Sequence, residues 1–268
     1  MRATSRDTSV RPAAVAGLFY PDDPVELRAT VSAYLERAAY IALPRKPAAF
    51  IVPHAGYIYS GSTAAAAYRT LADNAHPRRV VVIGPSHRVY LRGLAVPKAT
   101  RFETPLGDVP IDTELKDALL DLPAVIEADE PHRFEHSLEV QLPFLQVILG
   151  EFTLLPIVAG AAATHEVAAA LVRVSGEDTI VLASSDLSHY LTYEEAQRVD
   201  AHTSAAILAR HPSLTGQQAC GAVPINGLLE IARTRELTVE ELARCNSGDT
   251  AGDRQRVVGY GAYALYEA

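Results

Sequence analysis

Two histidines stand where short apolar runs stop, in Ala49-Phe50-Ile51-Val52-Pro53-His54 and in Val80-Val81-Val82-Ile83-Gly84-Pro85-Ser86-His87. Short Val/Ile runs are typical of buried parallel strands, and in open α/β sheets ligands gather outside the carboxyl ends of such strands. Two imidazoles delivered to that rim amount to half of a metal site. A third apolar run, Thr179-Ile180-Val181-Leu182-Ala183, ends in Ser184-Ser185-Asp186-Leu187-Ser188-His189 and repeats the pattern. One strand-end histidine is more often a cap or a solvated residue, but three placed alike make a shared site the better reading. After His54, Gly56 and Gly61 let the chain turn tightly beside a ligand, and Ser60 or Ser62 is positioned to cap the Ala-rich helix that follows.

Three other groupings compete for the chemistry. His132-Arg133-Phe134-Glu135-His136 is a literal H-x-x-E-H, the zinc string of inverzincin peptidases, in which both histidines share one helix face and the glutamate acts as general base. Here the string follows Glu127-Ala128-Asp129-Glu130-Pro131, and apolar periodicity begins only at Leu138, so His132 to His136 read as loop and helix start. A zinc hydrolase built on His132, Glu135 and His136 is therefore a remote alternative. Ser184, Ser185, Asp186 and His189 also crowd one turn, but triad partners ordinarily converge from separate segments and no G-x-S-x-G elbow is present. Cys245-Asn246-Ser247-Gly248-Asp249-Thr250-Ala251-Gly252-Asp253 is a glycine-punctuated loop offering a thiol and two carboxylates, or simply a capped turn.

The elements that must position these residues follow from periodicity. Strands are expected near 48–53, 79–84, 92–97, 152–158, 179–184 and 256–266, and helices near 24–38, 61–73, 113–120, 137–148, 164–174, 193–210 and 223–235. Their alternation predicts an α/β fold, a single layered domain over 1–268 with a largely parallel or mixed central sheet flanked by helices. The glycines of the last run, Val257 to Tyr266, mark places where a helix or another backbone approaches closely.

Bulk properties narrow the classes. With 268 residues, 49% of them hydrophobic, the chain can bury a sizeable core. A net charge of −8 with scattered Lys and Arg argues against nucleic-acid binding. Cys220 and Cys245 are too few for a disulfide framework and suit a reducing cytosol, and Met1 to Arg11 lacks the apolar core of a signal peptide. The most apolar long stretch, Phe152 to Val172, is broken by Pro156, Gly160, His165 and Glu166, so no membrane span is expected. These properties predict a cytoplasmic protein.

Taken together, Arg11–Pro21, Pro53–Gly61, Gly84–His87, Glu135–Leu145, Ser184–Tyr190 and Asn246–Asp249 resemble the Memo family, whose prokaryotic members are often called AmmeMemoRadiSam system protein B. The resemblance runs through nearly the whole chain. It implies a fold similar to the class III extradiol dioxygenases, in which two histidines and a carboxylate hold non-haem iron and another histidine moves protons. Carried over, it implies His54 and His87 as metal ligands and His189 as the catalytic histidine; beside them, Asp186, His136 and Glu135 are read as orienting the cleft. Eukaryotic relatives use a cysteine in the C-terminal loop; counting back from Val258-Gly259-Tyr260 puts Thr250 there, so Asp249 is the expected third ligand, ahead of Asp253 or Cys245. The implied cofactor is Fe(II), with Cu next and Zn after it. The implied activity is an oxidase or dioxygenase acting on a small substrate, and the alternative is a phosphopeptide-binding or metal-sequestering protein on the same scaffold. Either way, a small molecule or peptide occupies the cleft. A functional link to radical-SAM and AMMECR1-domain proteins is also implied.

Overall fold

The computed structural model describes residues 9–267, so most of the polar N-terminal stretch read for a signal peptide lies outside the described residues. In chain order the strands are β1 (Val10–Arg11), β2 (Pro47–Val52), β3 (Arg79–Pro85), β4 (Leu94–Val96), β5 (Arg101–Phe102), β6 (Val109–Pro110), β7 (Val125–Glu127), β8 (Thr153–Ala159), β9 (Thr179–Ser184), β10 (His189–Leu191), β11 (Thr238–Asn246) and β12 (Val257–Tyr266). The helices are α1 (Pro24–Arg37), α2 (Tyr57–Asn74), α3 (Thr113–Leu120), α4 (Glu130–Arg133), α5 (Leu142–Leu149), α6 (Thr164–Val174), α7 (Tyr193–Leu208) and α8 (Ala222–Thr234).

Nine strands form the main sheet in the order β10-β12-β2-β9-β3-β8-β4-β7, with β11 also paired to β12. The centre, β2-β9-β3-β8, is parallel, whereas β12 runs antiparallel to β2 and β4 antiparallel to β8. The sheet is mixed around a parallel core, as the strand–helix alternation predicts. Period-two side-chain direction divides each Val/Ile run between two apolar layers. Phe50, Val52, Val80, Val82 and Leu182 pack with Leu27, Val31, Tyr68 and Phe144 of α1, α2 and α5. Ile51, Val81, Ile83, Ile157 and Ala183 face Leu119, Val167, Leu171 and Leu228 of α3, α6 and α8. No helix among the described residues is long and apolar enough to cross a membrane.

Because β9 is inserted between β2 and β3, the loops after β2 and β3 leave the sheet on either side of it, the switch-point arrangement that opens a crevice at the strand ends. The last strand is internal, lying between β2 and the outer strands, and Gly259 is where α7 closes on it. A Cβ there would fall 1.9 Å from Asp200 Oδ2.

The short β1, β5, β6, β7, β10 and α4 are absent from the periodicity reading, and three longer elements depart from it. Helix α2 begins at Tyr57, not near 61, with Gly56 as its N-cap; Ser60 donates to the carbonyl of Ala55 instead of capping. Tyr57 is held in that first turn because its hydroxyl donates to Val140 O at 2.7 Å. The helix expected over 137–148 is a short 3-10 turn at Glu139–Gln141 followed by α5, which carries Pro143 in its first turn. Strand β11 has no counterpart in the periodicity. Its Glu240, Glu241 and Arg244 are polar and its burial does not alternate, and it is a strand because it pairs with the outer side of β12 from Thr238↔Tyr266 to Asn246↔Gly259.

Candidate metal centre

His54 lies two residues beyond β2 and His87 two beyond β3, and both meet in front of β9. Their ring centroids are 5.2 Å apart. A third ring, His136, stacks on His87 at 4.6 Å and lies 5.3 Å from His54. One ring nitrogen from each of the three falls within 4.8 Å of the other two.

The partners of these rings fix which nitrogens face inward. His87 Nδ1 lies 2.8 Å from Glu135 Oε1, and the same carboxylate accepts from the backbone N–H of His87 and of Ser137. Although burial alone would raise the pKa of Glu135, these donors, His87 foremost, hold it down to about 2. An ionised carboxylate can only accept, so Nδ1 of His87 carries a proton, and in the neutral ring Nε2 is the nitrogen with the lone pair. His54 is set by a similar argument. Its Nδ1 is 2.9 Å from Ser184 Oγ, whose single proton goes to Ser137 O while Gln141 Nε2 donates to it. Ser184 Oγ must therefore accept from His54 Nδ1, which leaves Nε2 as the free base. Histidine ligands ordinarily donate their other N–H to such an acceptor.

His136 differs. Its Nδ1 is buried without a hydrogen-bond partner among the described residues, and although Glu135 Oε1 lies 3.5 Å away, the geometry makes no bond. Burial lowers its pKa to about 4 against the opposing pull of Glu135. Burial, reinforced by the neighbouring His87, also holds His54 well below the ordinary histidine range. His54 and His136 are thus neutral near pH 7 and able to ligate. Paired lone pairs from His54 and His87, together with an orphaned buried nitrogen on His136, fit a metal ion.

Around them opens a cavity of about 960 Å³ whose walls include Asp186, His189 and Cys220. Asp186 Oδ1 accepts from the backbone N–H of His54 at 2.7 Å, and burial raises its pKa to about 7. His189 begins β10, and burial lowers its pKa. Cys220 Sγ stands 3.2 Å from His54 Nε2, with its thiol pushed up to about 12 by burial.

The sequence-expected residues therefore divide. His54, His87, His189, Asp186, His136 and Glu135 converge. His136, expected to orient the cleft, stands as the third member of the cluster. Asp249, expected as third ligand, lies outside it: its Oδ2 accepts from Asn246 N in a capped 3-10 turn and its Oδ1 from the Tyr193 hydroxyl of α7, so both oxygens are taken. Asp253 lines the cavity but caps the backbone N–H groups of Gln255 and Arg256. Cys245 contacts Thr63 Oγ1 at 3.1 Å; the thiol at the cluster is Cys220. The only local signal for it is Cys-Gly immediately ahead of α8.

The H-x-x-E-H string is not a helix. Helix α4 ends at Arg133, and His132 turns away to Ala95 O at 3.1 Å and packs edge-on to Phe102. Behind this segment the buried Arg11 guanidinium pairs with Glu139 and donates to the carbonyls of His132 and Glu135. That clamp holds the backbone on both sides of Glu135 and so aims His136.

Residues 11–264 match the family model described as Memo-like protein. Relatives described as MEMO1 family proteins include one from Sulfolobus acidocaldarius, 36% identical, with 94% of this chain and 97% of that protein covered. Another from Aquifex aeolicus is 38% identical with the same coverage, and one from Archaeoglobus fulgidus is 38% identical over 92% of this chain and 95% of that protein. Among solved structures, an uncharacterized protein, JW3007, from Escherichia coli K12 aligns with a TM-score of 0.55 at 15% identity, covering 82% of this chain and 99% of that one. That likeness is one of fold.

Proposed function

The chain belongs to the Memo family, and from that premise we propose that it holds a transition-metal ion through His54, His87 and His136, iron first and copper second, and acts as an oxidase or dioxygenase on a small molecule. The observation that carries the metal reading is the convergence of three ring nitrogens within 4.8 Å, two of them on rings whose Nδ1–H groups are already committed to Glu135 and Ser184. The resemblance to extradiol dioxygenases supports the redox part. A bound iron or copper ion would supply the electron chemistry with O₂ that protein side chains lack.

The chain's own residues do the rest. Glu135 and Ser184 hold the rings in their ligating tautomers. Phe19, 4.8 Å from the His136 ring, shields it from water. His189 lines the cavity outside the cluster, so its imidazole is available to take a proton from, or return one to, a bound substrate. Cys220 places a sulfur beside His54, which as a thiolate would suit iron, copper or zinc over harder ions.

The test is metal stoichiometry in anaerobically purified protein. His87→Ala and His136→Ala should each empty the site, while Asp249→Ala and His132→Gln should leave it filled. A site emptied by Asp249→Ala and kept by His136→Ala would overturn the assignment. Oxygen uptake by iron- and copper-loaded protein across catechols, thiols and amines then tests turnover, with His189→Ala expected to keep the metal and lose the uptake. Metal binding with no uptake above that of free metal would favour a protein that sequesters metal or binds peptide.

A further inference from the structure

The cavity has a second chemical feature at its mouth. Among the described residues lining it, Arg256 is the one Lys or Arg. In this chain of net charge −8, several arginines, Arg69, Arg79, Arg173, Arg233 and Arg244 among them, pair with carboxylates. Yet the Arg256 guanidinium makes no hydrogen bond or ion pair among the described residues, and its contact is with the Tyr190 ring, 5.0 Å from its centroid. The nearest acid in sequence, Asp253, lines the same wall but uses Oδ1 to cap the N–H groups of Gln255 and Arg256.

The partner ring is held there at a cost. Tyr190 has φ 60°, a left-handed conformation that costs an L side chain roughly 1–2 kcal/mol. It sits at an irregularity where β10 pairs with β12 through His189↔Val258 and Leu191↔Val257. Bulges of this kind re-aim a side chain. Here the ring is 65% exposed, beside the proton-handling candidate His189 and under the guanidinium. Stacking on an aromatic face leaves the donor edge of a guanidinium free, and that edge matches a carboxylate with two parallel N–H···O bonds.

We propose that Arg256, held on the Tyr190 ring, is the anion-binding residue of this cavity, and that the molecule the site takes carries a single carboxylate. This rests on the cavity being the substrate site of the proposed metal centre and adds to it the substrate class. One guanidinium neutralises one charge, and Asp253 in the same wall opposes a second, so a monoanionic acid is favoured over a phosphate dianion. At about 960 Å³ the cavity has room for a small aromatic or aliphatic acid reaching from Arg256 toward the histidines.

The experiment is fluorine NMR titration of para-fluorobenzoate, with para-fluorobenzamide as neutral and para-fluorophenyl phosphate as dianionic comparators, against metal-free and metal-loaded full-length protein. Both forms of the wild type should bind the benzoate more tightly than either comparator. Arg256→Gln should weaken the benzoate roughly tenfold or more, the worth of a charge-assisted hydrogen bond, with no change for the amide and none in metal content. Arg256→Lys should fall between. Equal benzoate binding by Arg256→Gln, preference for the phosphate, or no benzoate binding by the wild type overturns the proposal. If benzoate binding survives Arg256→Gln but disappears on chelation, the acid sits on the metal; the proposal then fails while the metal reading stands. A protein that takes up no metal yet loses the benzoate through Arg256→Gln would instead uphold the anion site and sink the metal reading.

Discussion

One hydroxyl proton decides the state of His54. Ser184 sends it to Ser137 O, so the same oxygen can only accept from His54 and Gln141. Glu135 plays the corresponding part for His87 and must remain a pure acceptor, because three N–H groups point at it. Glu135→Gln tests this directly. The amide is nearly isosteric, but its NH₂ must confront at least one of those donors. We expect metal affinity to fall about 10–100-fold, and stability by about 1–3 kcal/mol for the buried donor left unpaired. Competition with a chelator and urea denaturation would measure the two separately, and unchanged affinity would mean that Glu135 does not orient His87.

At the scale of elements, the site depends on the segment 135–138 resting on the end of β3. Gly84 makes that contact possible: a Cβ there would lie 2.6 Å from Ser137 Oγ and 3.0 Å from Leu138 Cδ2. Ser137 cannot yield easily, because its N–H is tied to Glu135, its carbonyl to Ser184 and its hydroxyl to Pro85 O. Gly84→Ala should therefore cost about 1–3 kcal/mol by overpacking and should also weaken metal binding, since Glu135 and His136 belong to the displaced segment. Gly176→Ala meets only Thr179 Oγ1 at an ordinary 3.5 Å and should change neither. Thermal melts with and without metal would separate the variants; an unperturbed Gly84→Ala would show that the segment has slack.

Across the whole molecule, acid sensitivity should trace largely to buried histidines. His132 is away from the three-histidine cluster, and burial lowers its pKa to about 3. Its folded value lies below the unfolded 6.5, so the unfolded chain gains the proton first as pH falls. Stability is full above about 6.5 and is lost downward toward about 3. Between pH 7 and pH 5 this one group should cost about 2 kcal/mol. Asp186 runs the other way: with its pKa raised to about 7, it costs stability as pH rises from the ordinary carboxylate range. Comparing metal-free wild type with His132→Gln, which keeps a donor for Ala95 O, cancels the Asp186 contribution. The variant should lose less stability than the wild type between pH 7 and pH 5, by that same amount; parallel pH profiles would locate the acid sensitivity elsewhere.

The sequence by itself determined a largely parallel or mixed sheet, because short Val/Ile runs alternate with helical periodicity, and it placed His54 and His87 at the strand ends, since those positions follow from where the runs stop. Tertiary structure decided what period and spacing do not encode. Strand β11 exists because β12 had an open side, not because Thr238–Asn246 alternates. His136 joined the cluster, and His132 left it, because α4 stops at Arg133 and Arg11, more than a hundred residues earlier, fixes the backbone between them. Asp249 was the nearest carboxylate along the chain, but Tyr193 and Asn246 had already claimed both its oxygens. Cys220 reached His54 only once Gly221 had packed against Ser185. A ligand set is a relation among loops whose spacing in sequence is arbitrary, and only the order in which the strands pair brings those loops together.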